Sequence, residues 1–188
     1  MSTVSFTNSA IEEIKARTSE GVTQFLGLQY ATLVDRFAPP VLKQYDANSA
    51  IDATKIGPSL LDHAENGADV EQKLFQNHLQ YGRSAHRMPE LQGLSLNITL
   101  PAGPKSDRKL PVLAFIHGGD NDVGSSYFPQ YDQARLVKLS VENEGPIIAV
   151  SLNYRLNAPG FLTSEEMRNA GYKPNNAIRD QRTALHWI

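Results

Sequence analysis

The feature that most constrains the fold is a pair of short apolar runs separated by a helical pattern. Val112–Ile116 and residues 147–152 are almost continuously apolar, which is typical of strands that are covered on both faces. Between them, residues 130–142 place Val137 and Val141 at helical spacing. A strand, a helix and a strand in this order predict two parallel strands joined by a right-handed crossover. The expected fold class is therefore α/β.

Further strands are predicted on the N-terminal side of this unit. β-Branched, aromatic and alternating apolar residues mark strands near residues 3–6, 14–16, 22–28 and 94–100. These strands predict that the sheet is mixed and that residues 1–188 belong to one domain. Residues 57–92 are polar and punctuated by glycine and proline, so they are predicted to form a long irregular loop within it.

The C-terminal residues 176–188 also carry a helical pattern. Its apolar residues are expected on one face, which comprises Ala177, Ile178, Ala184, Leu185 and Ile188. The pattern is still apolar at its last two residues, Trp-Ile, and this favours the interpretation that the chain is truncated.

Composition excludes several classes of function. The 188 residues carry a formal net charge of −2 and no basic cluster, so no nucleic-acid partner is expected. No apolar run is long enough to span a bilayer, so no membrane partner is expected either. The chain has no cysteine and its N-terminus lacks a secretory pattern, which together predict a cytoplasmic protein. Without a phosphate-binding glycine loop or a ligand-like histidine spacing, no cofactor or metal is expected.

A glycine turn follows the first apolar strand, at His117-Gly118-Gly119-Asp120. Glycines at the end of a strand permit the backbone conformations in which several N–H groups converge on one point. Such convergent donors stabilise the oxyanion of a tetrahedral intermediate, as in α/β serine hydrolases. An ordinary glycine turn is the alternative. No Gly-x-Ser-x-Gly motif, which would hold a nucleophilic serine, occurs between residues 1 and 188.

The chain resembles the type B carboxylesterase, or cholinesterase-like, family along nearly its whole length. The similarity is carried by segments that occur in the order of the family. Residues 24–31 are similar to "FxGIPYA", 36–39 to "RFxxP", 94–98 to "LxLNV", 110–119 to "LPVxVWIHGG", 151–162 to "NYRLGxxGFL" and 176–188 to "GNxGLxDQxxALxWI".

The resemblance implies the N-terminal part of an α/β-hydrolase fold that stops before the nucleophile-elbow strand. It also implies hydrolysis of a small-molecule carboxylic ester by a full-length parent, through a serine activated by a histidine and an acidic residue. All three of those residues follow the last matched segment in the family, so the chain alone is expected to be inactive. A non-catalytic binding module, a degenerate gene product and a complete small enzyme are the alternatives.

The oxyanion-hole positions that the resemblance assigns are Gly118, Gly119 and Asp120. The second and third glycines of the family's "HGGG" fall on Gly119 and Asp120, so an aspartate stands where the family has glycine. Its carboxylate would oppose the negative charge that the site must stabilise. Asp120 therefore matches the oxyanion-hole pattern of the family less well than the two glycines do.

Arg155 and Asp180 are charged residues flanked by apolar segments. We expect them to form a buried structural ion pair and to take no part in catalysis.

Overall fold

A mixed β-sheet organises the residues that the computed structural model describes, which are 2–8, 11–46, 48–57, 73, 91–103 and 109–188. The predicted loop over residues 57–92 lies almost wholly outside this range. The described strands are β1 (Ser2–Asn8), β2 (Ile11–Ser19), β3 (Val22–Gln29), β4 (Ala31–Thr32), β5 (Val41–Leu42), β6 (Ala50–Asp52), β7 (Ser95–Pro101), β8 (Val112–Ile116) and β9 (Ile148–Leu152).

The main sheet has the strand order β1-β2-β3-β7-β9-β8, and β6 pairs with β2. The path is antiparallel from β1 to β9, whereas β8 and β9 are parallel, with Val112 opposite Ile148. β4 and β5 form a separate two-stranded sheet. The predicted mixed sheet and its parallel pair are confirmed.

The helices that connect and follow these strands are a 3₁₀ helix (Pro129–Tyr131), α1 (Ala134–Glu142), α2 (Asn157–Phe161), α3 (Glu165–Asn169) and α4 (Asn176–Trp187). The single helix predicted over residues 130–142 is interrupted at Asp132. The backbone of Asp132 is extended, and its Oδ1 accepts a hydrogen bond from the Ala134 N–H at 3.0 Å. A short polar side chain that bonds to a nearby N–H group competes with the helix, so α1 begins only at Ala134.

Helices cover the sheet on both faces. On one face, Val137 of α1 packs against Val22 and Ala149. On the other face lies the larger core cluster, to which α4 contributes Ala177 and Ala184, and which includes Leu28, Tyr30, Leu94, Leu96, Val150 and Leu152. Full burial of each large apolar side chain contributes about 1.5–3 kcal/mol, so this cluster is the main source of stability.

The buried face of α4 differs from the expected one. Three residues of the expected apolar face are largely exposed: Ile178 at 55%, Leu185 at 51% and Ile188 at 44%. Asp180, by contrast, is fully buried. Apolar spacing could not anticipate this, because Asp180 is buried together with its hydrogen-bonded partner Arg155.

The apolar strand β8 is also more exposed than the sequence predicted. It is the last strand on its side of the described sheet, and Val112, Leu113 and Ile116 are 47%, 40% and 40% exposed. The prediction that β8 is covered on both faces is therefore wrong for the described residues. An apolar run indicates a strand suited to burial, but the elements packed against it decide whether it is buried.

Candidate functional site

The chain makes a tight left-handed turn shortly after β8. Gly119, Asp120 and Asn121 all have positive φ, at +118°, +57° and +61°. The Gly119 carbonyl accepts hydrogen bonds from the backbone N–H groups of Asp122 and Val123, both at 3.0 Å. Aspartate and asparagine tolerate the left-handed region better than other residues that carry a side chain. The sequence can therefore close the turn without a third glycine.

Close backbone approach requires two glycines in this segment. A Cβ atom on Gly119 would overlap the Val123 carbonyl oxygen. One on Gly124 would overlap the His117 ring and lie 2.5 Å from the Gly118 carbonyl oxygen. Gly118 itself has open space where a Cβ would stand. The turn thus needs a glycine at position 119 more than at position 118. It also needs a glycine at position 124, which was not predicted from the sequence.

His117 anchors the base of the turn. It is only 2% exposed, and its ring stacks on the Tyr154 ring with the centroids 4.6 Å apart. The Tyr154 hydroxyl donates to the His117 carbonyl oxygen at 2.8 Å. Burial raises the pKa of the Tyr154 phenol, so this hydroxyl stays protonated and continues to donate at neutral pH. These contacts give His117 a structural role in the turn.

The segment that follows β9 also holds the chain beyond the turn. Asn153 Oδ1 accepts a hydrogen bond from the Ser126 backbone N–H at 2.8 Å and another from the Ser125 hydroxyl at 3.0 Å. Asn153 and Tyr154 were part of a matched family segment, but the sequence analysis gave them no role. The sequence offered one signal for their role, since both are polar residues directly after a buried strand. Parallel strands end at a common sheet edge, so these residues lie near the turn that follows β8.

Two adjacent backbone donors in the turn are free to bind an acceptor. Among the described residues, none accepts a hydrogen bond from the N–H group of Gly119 or of Asp120. Gly119 is half-buried and Asp120 is exposed. Paired N–H donors that are fixed before an acceptor arrives can stabilise a developing negative oxygen. Because the Asp120 carboxylate is exposed, water and salt screen part of its repulsion toward such an oxygen.

Arg155 and Asp180 lie in direct contact in the core. Arg155 is 2% exposed and Asp180 is fully buried, and the guanidinium donates to both carboxylate oxygens at 2.7 and 2.8 Å. Its Nη1 also donates to the carbonyl oxygens of Arg36 and Ala38, at 3.0 and 2.7 Å. Burial raises the pKa of Asp180, while the guanidinium opposes the rise. The pair joins α4 to residues 36–38 and to the segment after β9.

The part of the chain that the structure describes offers neither a metal centre nor a membrane-spanning helix. No group of three or more histidine, aspartate or glutamate side chains there could hold a metal ion. Within the same residues, no helix combines the length and the apolar character needed to cross a bilayer.

Comparison with known proteins supplies the family. The sequence model of the carboxylesterase family matches residues 7–188, which is nearly the whole chain. This chain belongs to the carboxylesterase family. The family predicted from the sequence is therefore confirmed.

Individual carboxylesterase relatives agree with this assignment. Lipase 3 of Yarrowia lipolytica is 33% identical in an alignment 173 positions long, which covers 89% of this chain and 32% of the relative. The inactive carboxylesterase-like protein VdtD of Byssochlamys spectabilis is 32% identical in an alignment 174 positions long, which covers 90% of this chain and 28% of that protein. This carboxylesterase chain thus spans about a third of the length of the relatives it matches.

A solved esterase structure gives the same fold. The thermophilic PNB esterase superposes with a TM-score of 0.71 and 28% sequence identity, over 94% of this chain and 33% of that one. The α/β-hydrolase fold class predicted from the sequence is therefore confirmed.

Proposed function

We propose that residues 117–124 form the oxyanion-binding segment of a carboxylic-ester hydrolase. The observation that carries the proposal is the pair of free N–H donors on Gly119 and Asp120, held in a left-handed turn that follows β8. In acyl transfer, the ester carbonyl oxygen becomes negative as a nucleophile adds to its carbon. Donors aimed at that oxygen lower the barrier because they are oriented before the charge develops.

We further propose that the 188-residue chain does not hydrolyse esters by itself. The nucleophile, its base and the acidic residue would belong to the remainder of a full-length carboxylesterase, since no Gly-x-Ser-x-Gly motif occurs in the chain. The substrate class is then a small-molecule carboxylic ester that binds the full-length enzyme. Support comes from the family match and from relatives named as lipases and esterases.

The anion-binding part of this proposal can be tested on the chain as it is. Ethyl methylphosphonate is a tetrahedral monoanion that mimics the intermediate of ester hydrolysis. In ¹H–¹⁵N correlation spectra, its addition should shift the amide signals of Gly119 and Asp120 more than those of other exposed loops. Gly103, an exposed glycine with a φ of +153°, is the internal control. Shifts of equal size at Gly103 would argue against an oxyanion site.

The charge of Asp120 gives a matched pair of variants. Asp120→Gly removes a carboxylate from the donor position, so phosphonate should bind more tightly. Asp122→Gly removes an exposed carboxylate two residues away and should strengthen binding less. Equal effects would mean that only the overall charge matters and that Asp120 has no special position.

The catalytic part of the proposal can be tested in a complete relative. The test is made in the thermophilic PNB esterase, by substituting aspartate for the residue that superposes on Asp120. If an aspartate at this position weakens the donors, kcat falls by up to about 10²–10³ while KM changes little, because the lost interaction belongs to the transition state. An unchanged kcat would show that the carboxylate is harmless. A raised KM with the same kcat would assign the position to substrate binding instead.

A non-catalytic binding module is the second candidate function. It is favoured by Asp120 at a donor position and by the 32% identity to a relative that is itself named inactive. Incubating the purified chain with a p-nitrophenyl ester tests whether the chain alone is an enzyme. Turnover that a serine-directed fluorophosphonate abolishes would contradict both the proposed inactivity and this alternative.

A further inference from the structure

Asn157 contacts the tip of the left-handed turn with two of its nitrogen atoms. Its backbone N–H donates to the Asn121 carbonyl oxygen at 2.9 Å. Its side-chain Nδ2 donates to the Asp122 carbonyl oxygen at 2.8 Å. Asn157 is the first residue of α2 and itself has a positive φ of +53°. One residue in an uncommon backbone conformation therefore binds two consecutive carbonyl groups of the turn.

Different residues hold the base of the turn, which is His117, and its tip, which is Asn121 and Asp122. Tyr154 bonds to the His117 carbonyl at the base, at 2.8 Å. Among the described residues, only Asn157 donates to the carbonyl groups of Asn121 and Asp122. Loss of the Asn157 side chain would therefore loosen the tip while leaving the base in place.

The tip matters because the turn is closed by hydrogen bonds to the Gly119 carbonyl. In such a closed ring, rotation of one peptide group forces the preceding peptide groups to rotate as well. The Asp120 N–H belongs to the same peptide group as the Gly119 carbonyl, so fixing the carbonyls of Asn121 and Asp122 restricts the direction of the Asp120 N–H. We propose that Asn157 is a positioning residue for the Asp120 donor, an inference that rests on the proposed oxyanion function.

The identity of the side chain follows from two requirements. The residue must accept a positive φ, which favours asparagine, aspartate or glycine. It must also donate to a carbonyl oxygen, which only asparagine among these three can do at neutral pH. Asn157→Gly keeps the backbone conformation and removes the donor. Asn157→Asp keeps the shape and places a carboxylate oxygen against the Asp122 carbonyl oxygen.

Amide hydrogen exchange in the 188-residue chain tests whether Asn157 holds the tip. The N–H groups of Asp122 and Val123, which close the turn, should exchange about two- to tenfold faster in Asn157→Gly, as expected when one hydrogen bond is lost. Asn157→Asp should accelerate them further. Asn175→Gly is the matched control, because Asn175 also has a positive φ (+58°) just before a helix and its side chain makes no capping bond. Unchanged exchange in both Asn157 variants would overturn the inference.

Phosphonate binding separates positioning from a merely structural role. For Asn157→Gly we expect the dissociation constant of ethyl methylphosphonate to rise about two- to tenfold while the melting temperature stays close to that of the parent chain. Faster exchange with unchanged phosphonate affinity would overturn the positioning role. If the parent chain shows no phosphonate shift at Gly119 and Asp120, the proposed oxyanion function fails. The positioning role then fails with it, and faster exchange in the Asn157 variants shows only that Asn157 stabilises the turn.

Discussion

Replacing Asp180 with asparagine would remove the negative charge of the buried ion pair while keeping the shape of the side chain. The partner, Arg155, is 2% exposed, so the substitution leaves a guanidinium that water can scarcely reach. Breaking a buried pair from one side costs about 3–5 kcal/mol. We therefore expect Asp180→Asn to lower the free energy of unfolding by about 4 kcal/mol, a large part of the stability of an ordinary domain.

Breaking the same pair from the other side should give a loss that depends on pH. Arg155→Met leaves the Asp180 carboxyl buried, and its pKa, already raised by burial, rises further without the guanidinium. A carboxyl with a higher pKa in the folded state binds its proton more tightly when the chain is folded. In this variant, the protonated Asp180 carboxyl contributes fully to the free energy of unfolding below the pKa of the unfolded chain, about 3.9. This contribution is lost as the pH rises through the pKa that the carboxyl has in the folded state. Arg155→Met should therefore be less destabilised at about pH 5 than at about pH 8.

Urea unfolding, followed by far-ultraviolet circular dichroism at both pH values, measures these losses. The exposed pair of Lys138 and Glu20, 3.8 Å apart, supplies the control, since Lys138→Gln should leave the unfolding midpoint unchanged. Asp180→Asn has no titrating group at this position, so its own free energy of unfolding should change less between the two pH values than that of Arg155→Met. A loss below about 1 kcal/mol for both core variants, or a loss for Arg155→Met that does not change with pH, would refute a structural ion pair.

Two further predictions concern the turn and the core. Gly124→Ala should lower the melting temperature because a Cβ would overlap the His117 ring, whereas Gly118→Ala, which has open space, should leave it nearly unchanged; similar effects would show that the turn can relax. Burial and then the Asp180 carboxylate raise the pKa of Tyr30 well above its usual value. The protonated Tyr30 phenol therefore contributes fully to the free energy of unfolding below about pH 10. This contribution is lost as the pH rises through the pKa that the phenol has in the folded state. Tyr30→Phe should flatten the alkaline fall of the melting temperature, and an unchanged slope would contradict this.

Much of the fold could be predicted because apolar spacing reports directly on secondary structure. The βαβ unit around β8 and β9 and the helix α4 follow from that spacing. Burial was harder to predict. Spacing counts Asp180 as polar and Ile178 as apolar, yet Asp180 lies inside and Ile178 outside. Whether β8 is covered depends on neighbours in space, about which its own residues carry no information.

The candidate site was predicted only where it is continuous in sequence. Gly118, Gly119 and Asp120 follow one strand and were found together. Tyr154 and Asn157 stabilise the same turn from a segment more than thirty residues away (Tyr154 and His117 are 37 apart), so only the folded structure brings them near. The assignment of the three turn residues to an oxyanion hole stays a prediction until anion binding is measured.

The pairing of β3 with β7 has a consequence for how the chain folds. Gln24 and Thr99 face each other across this pair although 75 residues separate them, whereas β2 and β3 are joined by a two-residue turn. Closing the longer loop costs about 3 kcal/mol more in chain entropy. The β1–β3 meander should therefore form early, and the joining of β7 should limit the folding rate. β9 and then β8 lie beyond β7 in the sheet, so the left-handed turn after β8 would be among the last features to assemble.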